Sequence, residues 1–391
     1  MMTGATERVR RAFAFEQPDR TPLFEIFQPY HPIHWPICGR TVATDEVLAW
    51  DAMADGIAWE ELVGAAAQAQ FQVNRFFGVD MVRLNGAPGR GYPRPKKLGA
   101  ARWELEGIQY AVNARTKMIV PLDPGQGAAD SARQSESELR RKILAWDGQP
   151  AGPARTDPVL RRVQQLAAAD GLEWVYMGEI GCGTGVAFYP PFMLMWLAEE
   201  PDLVKRWIEM QMATALPHTQ QLIADGCTVV AIGGDVSCDK GPFLSPRMYR
   251  EFILPAIQRH VQLIHQAGAR AVYTSDGNHW LIKDDFFFNS GVDGYKEVDK
   301  AAGMTWPRLL AEGVYGRVCI LGNLDARYTL CLGTPEDVRR ETIECLRYGQ
   351  TGPGGHILHA SHSVHEDVKA ENYVAAVNAY REFFGMGRLA W

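Results

Sequence analysis

Residues 270–278, RAVYTSDGN, run from a short β-favouring stretch straight into an aspartate, a glycine and an asparagine. That is the pattern of a buried parallel strand whose last side chains are delivered to a pocket. It recurs in both directions along the chain. Toward the N-terminus lie Thr228–Gly233, Glu173–Gly178, Gly78–Leu84 and Thr21–Phe27; toward the C-terminus lie Gly291–Lys296, Val318–Gly322 and His356–Ala360. Each ends in polar or charged residues, and between most of them lies enough chain for a helix. Eight such runs predict a single (β/α)8 TIM barrel over residues 1–391, with its active site at the C-terminal ends of the strands. A doubly wound sheet would need a glycine-rich phosphate loop after the first strand. Strand one instead leads into Pro29, His31, Pro32 and His34, and neither GxGxxG nor GxxxxGK[ST] occurs.

Other signals place the remaining elements. Thr6–Phe15 has helical spacing at Val9, Ala12 and Phe13, so the segment 1–20 reads as an N-terminal helix plugging or flanking the barrel bottom. Leu48–Phe77 reads as helix. Arg102–Leu122 alternates apolar and polar residues around Glu106-Gly107, which predicts an antiparallel hairpin after strand two, within an insertion spanning 90–150. Asp123–Glu138, rich in Gly, Ala, Ser and Asp, reads as a loop. Asp202–Leu216 reads as helix. Ser245-Pro246 and Thr334-Pro335 are cap-plus-proline helix starts, the second with Asp337 placed for a capping box; Pro255 should divide its helix. Ala370–Phe384 forms the last helix.

Bulk properties narrow the function. A net charge of −6 argues against a nucleic-acid-binding surface. No run of about eighteen apolar residues predicts a membrane span. The first residues lack the long apolar core of a signal peptide. Seven cysteines are scattered without a CxxC, three of them (Cys38, Cys182, Cys238) in strand-end loops or beyond. Reduced thiols and a cytoplasmic location are therefore expected.

The strand ends name the candidate chemistry. Asp276 precedes a glycine that lets the chain turn sharply, so its carboxylate should point into the pocket; an Asx-turn is the structural alternative. Asp235 follows paired glycines and would be a second carboxylate, unless it bonds Ser237. Glu179 ends strand three, with an ion pair to Arg83 as its alternative. His359 and His362 lie three apart near the end of strand eight, so only one can face the pocket. His362 is favoured, and His356 and His365 should be exposed. Asp276, His362, Glu179 and Asp235 are thus the catalytic candidates. Glu25, His31, Arg83, Tyr273, Asn278, His279, Glu297, Asn323 and Asp325 are the substrate-binding candidates. Tyr30, Trp35, Tyr273 and Trp280 would supply an apolar wall. Asp276 and His362 could share a zinc ion with Glu179 or Glu297, although no HxxxH, HxH or CxxC pairing enforces it.

These residues carry a resemblance. Gly234-Asp235, then Gly241-Pro242-Phe243-Leu244-Ser245-Pro246 with Tyr249, and Ser275-Asp276-Gly277-Asn278 resemble core segments of the uroporphyrinogen decarboxylase superfamily. So do Gly291-Val292-Asp293-Gly294, Gly322-Asn323-Leu324-Asp325, Gly333-Thr334-Pro335-Glu336-Asp337-Val338 and Ser361-His362-Ser363-Val364. Glu7-Arg8-Val9 through Pro22 is similar to the superfamily's opening segment. The resemblance covers most of the chain outside residues 90–170. It implies a single barrel acting either as a porphyrinogen decarboxylase or as a methyltransferase that exchanges methyl groups with a corrinoid on another protein. The decarboxylase has an arginine-bearing RQAGRYLPE-type stretch for the substrate's carboxylates; the matching FQPYHPIHWPICGR at 27–40 lacks that arginine pair. The coenzyme M methyltransferases of the superfamily bind zinc through HxC after strand five and a Cys after strand eight. Thr274, Asp276 and His362 stand at those places, so both thiolates are gone and harder ligands replace them.

The expected activity is therefore corrinoid-dependent methyl transfer involving a small methoxylated or methylated substrate. No DxHxxG cobalamin signature occurs, so the cobalamin would come from a partner protein. The barrel would make the substrate's oxygen or nitrogen a better leaving group, through His362, Asp276, Glu179 or a metal. Alternatives are decarboxylation of a small carboxylate or porphyrinogen-type substrate, and a non-catalytic ligand-binding barrel. The expected partners are a small-molecule methyl donor or acceptor, a corrinoid protein and a second copy in a homodimer.

Overall fold

The computed structural model describes residues 4–114, 117–122, 128–154, 156–181 and 192–391. Cys182 and residues 123–127 of the expected loop lie outside the described residues. The barrel strands are β1 Phe24–Glu25, β2 Met81–Val82, β3 Val175–Gly181, β4 Val229–Gly233, β5 Arg270–Thr274, β6 Gly294–Lys296, β7 Cys319–Leu321 and β8 His356–Ile357. They pair in sequence order, all parallel. Two parallel bridges, Leu23 with Leu358 and Phe27 with Val364, bring β8 back to β1. The fold is the expected (β/α)8 barrel, and its strands coincide with the eight apolar runs.

Strand parity divides the core into two layers. Inward side chains from successive strands, among them Phe24, Met81, Val175, Met177, Val229, Ala231, Val272 and Leu321, form one apolar cluster with Val9, Ala12 and Phe13 of helix Ala5–Phe13. The N-terminal helix is thus the plug at the barrel bottom. Gly294 makes room for it: a Cβ there would stand 3.0 Å from the Phe13 ring. Outward side chains such as Val230, Ile232, Tyr273 and Tyr295 pack under the helices in the larger cluster.

Several elements differ from expectation. Leu48–Phe77 is two helices, Glu46–Ala54 and Trp59–Phe77. The helix expected over Asp202–Leu216 runs over Pro201–Ala224 and continues through Pro217. Pro255 does divide its helix: a π-turn at Tyr249–Ile253 gives way to Leu254–Gln266, with the proline in the first turn, where its missing N–H costs nothing. The capping box of Pro335–Gly349 forms as expected. The inserted hairpin is a four-stranded antiparallel sheet, Lys96–Gly99, Arg102–Leu105, Ile108–Val112 and Ile119–Pro121. Much of the expected loop at Asp123–Glu138 belongs to helix Ala128–Ala145. Among the described residues no helix is long and apolar enough to cross a membrane, and the described cysteines are free.

Candidate active site

At the top of the barrel the inward row turns polar. After Val175 and Met177 on β3 the next inward residue is Glu179; after Val272 and Thr274 on β5 comes Asp276; after Gly294 on β6 comes Lys296. Glu179 sits between two cations. Arg83 Nε, beyond β2, donates to its Oε2 at 2.9 Å, and Lys296 Nζ lies 3.9 Å from the same oxygen. Gly233 leaves the space, since a Cβ there would stand 3.4 Å from Glu179 Oε1. Arg83 also donates to Asn85 Oδ1 at 2.8 Å. Sequence reasoning passed over Lys296. The signal was present: a lysine closing an apolar barrel strand at an inward position has no path to solvent. Its ammonium donates to Glu297 Oε1 at 2.9 Å.

Above this layer an open cleft of about 570 Å³ is lined by Asp276, Asp299, Arg327, Cys331, His362 and His365, among others. The Asp276 amide donates to Asp235 Oδ1 at 3.3 Å. Burial, then the charges of Asp235, Glu297 and Asp299, push the Asp276 carboxyl up to about 6, against the pull of His362. Burial and Glu297 also push Asp235 up, although its residue is more open to solvent. Glu297 goes the other way. Burial would raise it, but the attraction and hydrogen bond of Lys296, together with the pull of His362 and His359, hold it below its ordinary value. Asp299 is occupied by Arg327, which donates at 3.1 Å, and by the Ala301 amide at 2.9 Å. The close turn after β5 depends on Gly277, with φ +89°, where a Cβ would strike the backbone of Ser237 at 2.8 Å.

Asp276, Asp235, Glu179, Glu297 and His362 thus gather at the barrel mouth, as their strand-end positions led one to expect. Several other candidates are turned to structural work. His31 accepts from the Ile33 amide at 3.0 Å and donates to the Val368 carbonyl at 2.7 Å, so both ring nitrogens are used. Tyr273 faces outward, stacked on Phe286 with ring centroids 4.3 Å apart. His279 is buried and stacked on Phe286 at 4.1 Å, with Nδ1 2.8 Å from Ser237 Oγ and Nε2 donating to the Ser275 carbonyl at 3.1 Å. Burial lowers its pKa to about 3, so it stays neutral. Asn278 accepts from the Trp280 amide at 3.1 Å. Buried Asn323 donates to the Met304 carbonyl at 3.0 Å. Asp325 caps Ala326–Leu330 by accepting from Arg327 and Tyr328 amides. Glu25 is buried beside His359, with Oε1 2.9 Å from Nδ1 but out of line for a hydrogen bond, and accepts from the Ile26 amide at 2.9 Å.

The histidines of the last strand divide as reasoned: His359 is buried, and His362 lines the cleft. His356, expected to be exposed, is buried and donates to the Gly322 carbonyl at 2.6 Å. His365 is half-buried. The expected aromatic wall does not assemble at the cleft. Trp280 donates to the Gly303 carbonyl at 3.0 Å beneath Arg308, while Trp35 lies against Arg40. Among the described residues no third His, Cys, Asp or Glu ligand atom converges with those of Asp276 and His362. Among the described residues the trio whose ligand atoms converge is His365, Glu366 and Asp367, two of them exposed carboxylates. The Asp276–His362 pair therefore does not fit a zinc centre.

Residues 154–383, more than half of the chain, match the uroporphyrinogen decarboxylase (URO-D) family. The chain belongs to that family. Among curated relatives, the uroporphyrinogen decarboxylase of Chlorobium phaeobacteroides is 32% identical over 147 residues, 36% of this chain and 38% of that protein. The uroporphyrinogen decarboxylase of Psychromonas ingrahamii is 27% identical over 191 residues, 47% of this chain and 49% of that protein. The chain thus spans less than half the length of these URO-D relatives. Among solved structures, a methyltransferase from Methanosarcina mazei superposes with a TM-score of 0.63 at 17% identity, covering 97% of this chain and 99% of that one. The likeness supports the barrel fold.

Proposed function

We propose that this URO-D family member transfers a methyl group between a small methoxylated or methylated substrate in the cleft and a corrinoid carried by a separate protein. The observation that carries the reading is Asp276, a cleft-facing carboxyl group that keeps its proton up to about pH 6. When the C–O or C–N bond of a methyl donor breaks, the electron pair goes to the heteroatom. A carboxylic acid beside that atom converts a poor leaving group into a neutral alcohol or amine. In this reading Asp276 gives that proton, and takes it back in the reverse direction. The bound corrinoid supplies the site that accepts or returns the methyl group. Among the described residues the cleft is open, with exposed Leu332 in its lining, which suits approach by a partner-borne cofactor.

The arrangement suits a porphyrinogen with many carboxylate arms poorly. Arg40, the arginine of the stretch 27–40, is held by Asp45 and lies 4.9 Å from the Trp35 ring. Arg83 and Lys296 are already neutralised by Glu179 and Glu297. Decarboxylation of a small monocarboxylate is the second reading, favoured by the same proton donor, which would protonate the carbanion left by carbon dioxide.

The test mixes the chain with a reduced corrinoid and a panel of methoxylated and methylamine compounds, and follows the corrinoid's visible spectrum. A change that requires both donor and protein, and that Asp276→Asn removes, supports methyl transfer. No change with any donor, together with carbon dioxide release from a small carboxylate, would replace it with the second reading.

A further inference from the structure

The segment after β1 carries two histidines that the proposed reaction leaves idle, and they are not equally engaged. His31 spends both ring nitrogens on backbone groups. His34 ends the short turn Pro32–His34 and is 1% exposed, with Nδ1 2.8 Å from the His31 carbonyl oxygen. A carbonyl only accepts, so Nδ1 carries the hydrogen and Nε2 presents a lone pair. Among the described residues nothing donates to that nitrogen. Buried polar groups without a partner are rare, and each one calls for a reason.

His34 lines a recessed cavity of about 70 Å³ between this segment, helices Glu46–Ala54 and Trp59–Phe77, and the chain beyond β2. Among the described residues it shares no wall with the cleft at Asp276. Its apolar walls include Ala49 and Met53 of the first helix and Leu62, Ala66 and Ala69 of the second. The two amide side chains in the lining are already committed. Gln70 donates to the Asn85 carbonyl at 2.9 Å and accepts from the Asn85 amide at 2.7 Å. Asn85 donates to the Phe27 carbonyl at 2.7 Å and accepts from Arg83 at 2.8 Å. Tyr30 adds a hydroxyl from a partly exposed ring. The His34 lone pair is the buried acceptor left over for a guest.

The chemistry of the walls narrows that guest. No charged side chain lines the cavity among the described residues, so an ion entering it would lose its hydration uncompensated. Burial keeps the His34 ring itself neutral, with its pKa lowered to about 4. A single water needs roughly 10–15 Å³ measured this way, so the space takes roughly five non-hydrogen atoms. We propose that this cavity is a binding site for a small neutral alcohol, whose hydroxyl donates to His34 Nε2 and whose alkyl chain lies between the two helices. An amine of that size would be cationic at neutral pH and is disfavoured by the same walls. An O-methyl donor leaves an alcohol behind when its methyl group departs, and Asn85 joins this cavity through Arg83 to Glu179 at the barrel mouth. The site itself does not rest on that reaction.

The test uses 1-butanol and diethyl ether, isomers of which only the alcohol can donate a hydrogen bond. The full chain, labelled with nitrogen-15 in histidine, is titrated with each at pH 7.5. The His34 Nε2 resonance is identified by its loss in His34→Leu. Butanol should move it upfield in a saturable way, with a dissociation constant on the order of millimolar. The ether should bind about tenfold more weakly, and so should butanol to His34→Leu, followed by saturation-transfer NMR. That variant leaves the His31 carbonyl bonded to the backbone amide of residue 34, 3.1 Å away. In Ala66→Leu, which fills the space and keeps His34, the response should vanish. Should either variant fail to fold, saturation transfer from the unaltered protein to the two isomers still decides. A protein that ignores butanol, or binds both isomers equally, overturns the proposal. Selective binding of butanol without methyl transfer would sink the proposed reaction and leave the site standing; methyl transfer with no butanol binding would do the reverse.

Discussion

Asp276 costs the fold stability once it ionises, because burial and its acidic neighbours disfavour the carboxylate. Its carboxyl titrates at about 6 in the folded chain against 3.8 for an unperturbed aspartate. The folded state therefore binds the proton more tightly. The stability this contributes is fully present below the unfolded value and is lost as pH rises through about 6. At pH 7.5 the ionised group is a net burden, on the order of 1–2 kcal/mol once screening at a partly open site is allowed for. Asp276→Asn should accordingly raise the melting temperature at pH 7.5 and change it little near pH 4, while lowering turnover by about 10²–10⁴-fold. Thermal unfolding at the two pH values checks the first part; an unchanged or lowered melting temperature at pH 7.5 would count against a perturbed carboxyl. His279 makes the opposite case. Its stacked and doubly bonded ring predicts that His279→Ala loses about 2–4 kcal/mol of stability, seen as a lower denaturation midpoint. At this scale the sequence located the strand ends, and with them Asp235, Asp276, Glu179, Glu297 and His362. It did not reveal which way each side chain turns. His31, Asn278 and Asp325 satisfy nearby backbone amides, a local bond that competes with any ligand and has no distinct sequence signature. Tyr273 and Lys296 differ only in parity within their strands, and that parity places one under the helices and the other inside the barrel.

Among the elements, the barrel strands were legible because each is an apolar run with an abrupt polar end, and the helix caps were legible because Ser245, Thr334 and the following prolines carry local chemistry. The inserted sheet was half legible. Its central strands alternate, but Lys96–Gly99 is exposed throughout and carries no apolar period. Helix Ala128–Ala145 was hidden for a related reason: its described anchors come late, at Leu139 and Ile143, and tertiary contacts secure it, such as Arg206 donating to the Ile143 carbonyl at 2.9 Å. The inserted sheet is held to the barrel by a compact contact. Trp103 is fully buried, donates to Asp51 Oδ1 at 3.0 Å and lies against Trp50, while Lys97 pairs with Asp51 at 2.7 Å. Truncating a buried tryptophan costs about 3–5 kcal/mol. Because the barrel has its own core, Trp103→Ala should loosen the sheet and helix Glu46–Ala54 without unfolding the rest. Hydrogen exchange should quicken over residues 46–54 and 96–121 and stay slow in β4 to β7. Uniform quickening across the barrel would show that the insertion and barrel fold as one cooperative unit.

For the whole molecule, acid stability follows from histidines rather than from the cleft. His34, His260, His279 and His356 are buried, and burial lowers their pKa values to about 4, about 4, about 3 and about 4. Their bonding agrees with the neutral form. His260 Nδ1 donates to Thr219, whose hydroxyl is already committed to the Ala215 carbonyl, and His260 Nε2 has no partner among the described residues. His356 likewise donates from Nε2 and leaves Nδ1 bare. In the unfolded chain these rings take up protons near 6.5, whereas in the folded chain they do so only near 4 or below. Their contribution is fully present above 6.5 and is lost as pH falls through the folded values. Each group can withdraw up to about 1.4 kcal/mol per pH unit across that window. Asp276 and Asp235, both raised, act in the other direction, but they are two partly open groups against four buried ones. The net slope should therefore be positive. Stability from denaturant unfolding should fall by several kcal/mol between pH 7 and pH 5, a large share of the roughly 5–15 kcal/mol typical of a folded domain. His260→Leu, which replaces one ring with an apolar side chain, should flatten the slope. A stability constant between pH 7 and pH 5, or one that rises toward pH 5, would mean that these histidines already carry their protons inside the fold.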